Sequence, residues 1–216
     1  EGTIGVLVDA GLRHILIGLE SGKDESLKRM NKMTTVAQNE RALTILRKHG
    51  VEPNVGFIMF EPDSSLGDVR INFEFLKRNA LLKNLPVTAN VLYHHQIVLE
   101  GTQAYHNLKK EKRLELQRSS SYEGTAYFKK PEVADLADIM RRITNILFGR
   151  MDGTWSGKDI EPPGMLERYV KVNHLIVKVF EDGLTALEGG GRFDKERIAS
   201  LVRETENEID GIFYKS

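Results

Sequence analysis

The chain has 216 residues, 31 of them basic and 31 acidic, and no cysteine. The balanced charge offers no electrostatic footprint for nucleic acid or an anionic membrane, and the missing cysteine excludes disulfides, thiol nucleophiles and thiolate-held metal within these residues. With 40% hydrophobic and 29% charged residues the composition is that of a globular chain, long enough to bury roughly 70% of its unfolded surface in one large domain, or one and a satellite.

The first half alternates short apolar strands with helices. Gly2 to Gly11 reads as the tail of a helix stopped by its last glycine, and His14 to Leu19 as a strand. A short helix covers about Asp24 to Met30, with acids in its first turn where the helix dipole favours them. Thr35 to Gln38 is a capping box that opens a helix to Lys48, closed by His49-Gly50. "VGFIMF", Val55 to Phe60, is too continuously apolar for a strand with one wet face and fits a buried parallel strand. Ser65 and Asp68 start a further helix to about Leu82, "VTANVLYHH" is expected as a third strand, and a short helix with Tyr105 and Leu108 follows Gly101-Thr102. That order predicts an α/β fold with parallel strands.

From Pro131 apolar residues recur only at helical spacing. Val133, Leu136, Met140, Ile143 and Leu147 form one stripe. Leu166, Tyr169, Val172, Ile176, Val179 and Phe180 form a second, and Ile198, Leu201, Val202, Thr205 and Ile209 a third. The expected division is residues 1–115, a polar linker at 116–131, and an all-helical carboxyl-terminal region at 132–216. No apolar run approaches the roughly 20 residues that span a bilayer, and the first residues lack the pattern of a signal peptide, so a cytoplasmic location is expected.

Ligands of parallel α/β sheets sit at the carboxyl ends of strands. That rule nominates Glu20-Ser21-Gly22, Glu61-Pro62-Asp63 and the region of His94-His95 on one rim. Glu20 and Ser21 suit a polyol or an amine, but the same two residues could simply cap the next helix. His94 and His95, adjacent in a strand, would point to opposite faces and so would not share a metal. No metal site is expected, "EGGGR" at 188 to 192 reads as a linker because it lacks the lysine and hydroxyl of a phosphate loop, and "LKKEKR" at 108 to 113 reads as a solvated helix face.

The run from Ala10 to Leu76 carries "GLESG", "LKRMNK", "TTVAQN" and "GFIMF" in that order. It resembles the later part of the radical S-adenosylmethionine (SAM) superfamily, in the branch of iron-sulfur oxidoreductases whose barrel often follows a cobalamin-binding domain. The resemblance implies the second half of a partial (β/α)6 TIM-like barrel. It implies SAM contacts at Glu20 with Ser21 beside it, at Lys32 near the SAM carboxylate, and along Phe57 to Met59 beside the adenine. It also implies a 4Fe-4S cluster, and cobalamin as the branch's further cofactor, for a longer parent protein.

The family's CxxxCxxC motif is absent, and its "PGTPLYE" is reduced to "LEGTQAYHNL" at Leu99 to Leu108. The expected function is therefore a carboxyl-terminal fragment of a radical SAM enzyme, inactive alone. Its partners would be a small-molecule substrate, the missing amino-terminal half and, through the open barrel edge, further copies of itself, with no nucleic acid and no membrane. The alternative is a cysteine-free, non-catalytic binding or scaffolding module.

Overall fold

Residues 2–116, 123–151 and 164–214 are described by a computed structural model. Helix α1 (Gly2–Asp9) ends before Gly11, whose φ of 109° is the left-handed stop that a residue without Cβ takes at little cost. Strand β1 (Leu16–Glu20) leads into α2 (Asp24–Arg29) and α3 (Val36–Lys48). Thr35 and Gln38 form the reciprocal capping box at the start of α3, as the spacing requires. Strand β2 (Asn54–Phe57) pairs in parallel with β1, and α4 (Leu66–Arg78) begins on the Ser65/Asp68 capping box.

The expected third strand is a helix. Residues Leu85–Tyr93 form α5, capped by Asn84, whose side chain accepts from the Val87 amide, with Pro86 pre-set for its first turn. Leu85, Thr88, Ala89, Val91 and Leu92 are buried together, a spacing of three and four that one helical face satisfies and a two-residue repeat does not. The β-branched residues of "VTANVLYHH" suggest a strand locally, but the cap and the packing against later helices outweigh them. What remains of strand pairing is one parallel bridge, Phe60 to His95, after the chain has left the helix.

A small antiparallel sheet follows, built from β3 (Val98–Leu99), β4 (Leu114–Leu116) and β5 (Glu123–Ala126) in the order β3-β5-β4, with α6 (Gln103–Lys110) between the first two. Among the described residues the parallel ladder therefore stops at β1 and β2, with the Phe60–His95 bridge beyond it. Strand β5 lies inside the segment expected to be a linker, whose residues 117–122 fall outside the described residues. Val98, Tyr105 and Leu108 give this unit its own small core.

Helices α7 (Pro131–Arg150), α8 (Met165–Glu188) and α9 (Lys195–Tyr214) complete the described chain, and the connector at 152–163 lies outside the description. All five residues of the first apolar stripe are fully buried. Each such side chain contributes about 1.5–3 kcal/mol of hydrophobic transfer. In the second stripe Leu166 is 72% exposed, whereas Val172, Ile176 and Phe180 are buried. One continuous apolar core joins Leu19, Val55 and Phe57 of the strands to Phe73 and Phe75 of α4 and on to Ile143, Ile176 and Ile209. Phe73 and Phe180 stack across that junction, their centroids 4.8 Å apart. No helix among the described residues is long and apolar enough to cross a membrane.

Candidate functional site

The two faces of the β1–β2 pair differ. Ile17, Leu19, Val55 and Phe57 turn toward the apolar core, where Phe57 stacks on Phe75 of α4. Leu16, Gly18 and Asn54, which alternate with them, are exposed. Gly18 and Gly56 oppose each other in register, leaving a flat strip of backbone on that open face.

Glu20 ends this strip. The register shifts between Gly18 and Glu20, and Glu20 has a φ of 61°, a region uncommon for a residue with a side chain. Such strain persists where surrounding contacts enforce it. Here the Glu20 carbonyl accepts from the Ile58 amide at 2.8 Å, while Asn39 of α3 donates to the Leu19 carbonyl at 2.9 Å. The Glu20 carboxylate folds back over Gly18 and meets the Lys32 ammonium at 2.7 Å, with side-chain exposures of 20% and 41%. Lys32 is brought there because α2 ends after a single short run and Asn31 turns the chain with a φ of 55°.

Ser21 is fully buried. Its hydroxyl donates to Asn72 Oδ1 at 2.9 Å and accepts from the Lys23 amide at 3.2 Å. Asn72, on α4, also accepts from the Gly22 amide at 2.8 Å, and its amide group donates to the Ile58 and Met59 carbonyls at 3.2 Å each. A single buried side chain thus spans the ends of both parallel strands. Phe57 and Met59 are buried as well, backbone included, so of the residues expected to contact SAM those whose side chains reach the open face are Glu20 and Lys32.

Beside the strip the chain leaves α5 through His94, whose carbonyl accepts from the amides of Met59 and Phe60. Burial lowers the His94 imidazole below the usual histidine range, and the nearby Glu20 carboxylate opposes the shift only in part. Burial also lowers His95, reinforced by His94 and Arg141. On the other side Glu61 is buried and held by Arg29, whose Nη2 lies 3.0 Å from Oε2 and 3.1 Å from Oε1. Asp63 belongs to a further ionic group. Burial pushes its carboxyl up, but hydrogen bonds from Lys129 and Arg113 outweigh that and leave it below the usual carboxylate range.

The rim therefore presents a carboxylate and an ammonium side by side above bare backbone, a donor set that fits a zwitterionic amino-acid head group: carboxylate on Lys32, ammonium on Glu20. It does not fit an iron-sulfur cluster, since the sequence holds no thiolate. Among the described residues no group of three or more histidines and carboxylates is arranged to hold a metal ion. Sequence reasoning missed Asn72 and Arg29. Nothing in a run such as "DVRINFEFL" distinguishes a buried asparagine from a solvated one, although its place two turns below the α4 cap faces the strand ends.

Residues 1–76 match the profile of the Radical SAM superfamily. Over 80 residues the chain is 40% identical to 4'-phospho-dehydrooxetanocin synthase of Priestia megaterium, an alignment that takes in 36% of this chain and 11% of that enzyme. The fold resembles that of the cobalamin-dependent S-adenosylmethionine radical enzyme OxsB. The TM-score is 0.69 for the aqua-cobalamin form, over 96% of this chain and 39% of that one. It is 0.72 for the form that also holds S-adenosylmethionine, over 98% and 38%, with 17% identity in both cases. The chain spans under half the length of these relatives.

Proposed function

We propose that these residues form the SAM-facing rim of a radical SAM catalytic unit, in which residues 1–115 belong to a partial (β/α)6 barrel and residues 132–216 back it with helices. The observation that carries the reading is the Glu20–Lys32 pair, closed over Gly18 on the open face of two parallel strands, within the residues that match the superfamily. Lys32 would exchange Glu20 for the SAM carboxylate, and Glu20 would receive the SAM ammonium; the end of β2 at Phe57 to Met59 would stand beside the adenine. SAM, when bound beside a reduced 4Fe-4S cluster, supplies the radical chemistry of the superfamily. The cluster's thiolates would come from cysteines outside these 216 residues, which leaves this chain without cleavage activity by itself. The likeness to OxsB supports a cobalamin-dependent parent acting on a small molecule, and no residue of this chain is assigned to cobalamin.

The test is a nuclear magnetic resonance titration of the chain with S-adenosylmethionine up to millimolar concentration. The expected result is progressive shifts at Gly18, Glu20 and Lys32 that vanish in Glu20→Ala and Lys32→Met. Shifts that survive both substitutions, or that lie elsewhere, would overturn the reading. A second reading, a non-catalytic module, is favoured by one observation: the rim charges already satisfy each other. Under it the titration leaves these residues unmoved.

A further inference from the structure

Asn72 has the geometry of a coupler. It sits on α4 at 2% exposure, and its two polar atoms face two different loops: Oδ1 takes the Ser21 hydroxyl and the Gly22 amide, Nδ2 gives to the Ile58 and Met59 carbonyls. These four groups belong to the chain just after β1 and just after β2, beyond the last ladder pair Glu20–Phe57. Past that pair the two strand ends are otherwise joined by the single bond from the Ile58 amide to the Glu20 carbonyl. An amide is the one short side chain that accepts and donates at once in a fixed plane, which both loops require. Gly22 permits the approach, since a Cβ there would stand 2.4 Å from Phe75 Cβ and 3.3 Å from the Ile71 carbonyl of the same helix.

We infer that Asn72 is the positioning residue of the rim: it fixes the β1 end to the β2 end and thereby holds Glu20 in its left-handed conformation before any ligand arrives. This rests on the reading of the rim as a SAM site only for its consequence. A site held in place binds without first ordering two loops, so losing Asn72 weakens the ligand although Asn72 touches none of it. The coupling itself is a property of the free chain.

The experiment is amide hydrogen exchange of the free chain by nuclear magnetic resonance, in Asn72→Ala and Asn72→Asp. Asn72→Ala is expected to speed exchange at both Gly22 and Ile58 at least tenfold while α7, α8 and α9 keep their protection. Asn72→Asp keeps the acceptor and discards both donors, so Ile58 is expected to speed up and Gly22 to stay slow. Unchanged exchange at both amides in a helical Asn72→Ala protein overturns the inference, as does equal acceleration of both in Asn72→Asp, which would mark a packing role only. If Asn72→Ala does not fold, the split in Asn72→Asp decides alone. A SAM reading that fails would appear elsewhere, as a wild-type rim unmoved by the titration, with these exchange rates unaffected.

Discussion

A Cβ on Gly18 would stand 2.4 Å from Glu20 Oε1 and 3.4 Å from Lys32 Nζ. The clash is with the tips of two flexible side chains, so they can move aside. Gly18→Ala is therefore expected to change stability by less than about 1 kcal/mol, as for other partly exposed ion pairs, while it displaces Glu20 and abolishes the response of the rim to SAM. Urea denaturation together with the titration checks both halves. A large loss of stability, or an undisturbed titration, would contradict the prediction.

Gly22 presents the opposite case. There a Cβ would meet Phe75 Cβ and the α4 backbone, which cannot withdraw without moving the helix. Gly22→Ala is expected to cost about 1–3 kcal/mol through overpacking, read as a lower urea midpoint at unchanged slope.

Arg29 and Glu61 differ in exposure, with 47% of the arginine side chain and 7% of the carboxylate in contact with water. Arg29→Met strands a buried charge, and the expected cost is about 2–3 kcal/mol, less than for a wholly buried pair because Arg29 was half solvated. Adding Glu61→Gln should recover part of it. A double variant as unstable as the single one would show that the loss comes from Arg29's packing.

The two histidines predict a pH response. Burial sets both below their ordinary value in the folded chain, so the unfolded chain binds more protons once the pH falls below about 6.5. The neutral forms therefore contribute stability that is complete above that value and is lost on acidification through the folded values. Denaturation midpoints should fall between about pH 7.5 and about pH 5.5, and His94→Gln with His95→Gln should flatten the slope.

Arg113 places all five of its donors at once: on the Tyr127 and Pro62 carbonyls and on the carboxylates of Asp63 and Glu111. It ties the small sheet, which has its own core, to the loop after β2. Lysine lacks the fork to do this. Arg113→Lys should speed limited proteolysis within residues 98–127 while leaving the main unfolding transition in place.

Much of the framework was legible in the sequence because its signals are local. Both capping boxes, the stop at Gly11 and the three apolar stripes depend on residues within a turn or two of each other. The third strand failed for a related reason. In "NLPVTANVLYHH" the β-branched residues and the Asn84–Pro86 start signal point to different structures, and the decision falls to packing against α7 and α8, which lie 40 to 100 residues further on. The three-stranded sheet was missed because its strands are two to four residues long, too short to carry a period.

The site divides in the same way. By itself the sequence determined that a strand ends in Glu20-Ser21-Gly22, that Lys32 follows one short helix later, and that no thiolate is present, since these are facts of order and composition. Only the tertiary structure decided that Ser21 is spent on Asn72, that Phe57 and Met59 are core, and that Glu20 and Lys32 meet above Gly18. Which side chains reach a ligand depends on which ones the rest of the chain has already engaged, and those partners come from helices whose positions no neighbouring residue encodes.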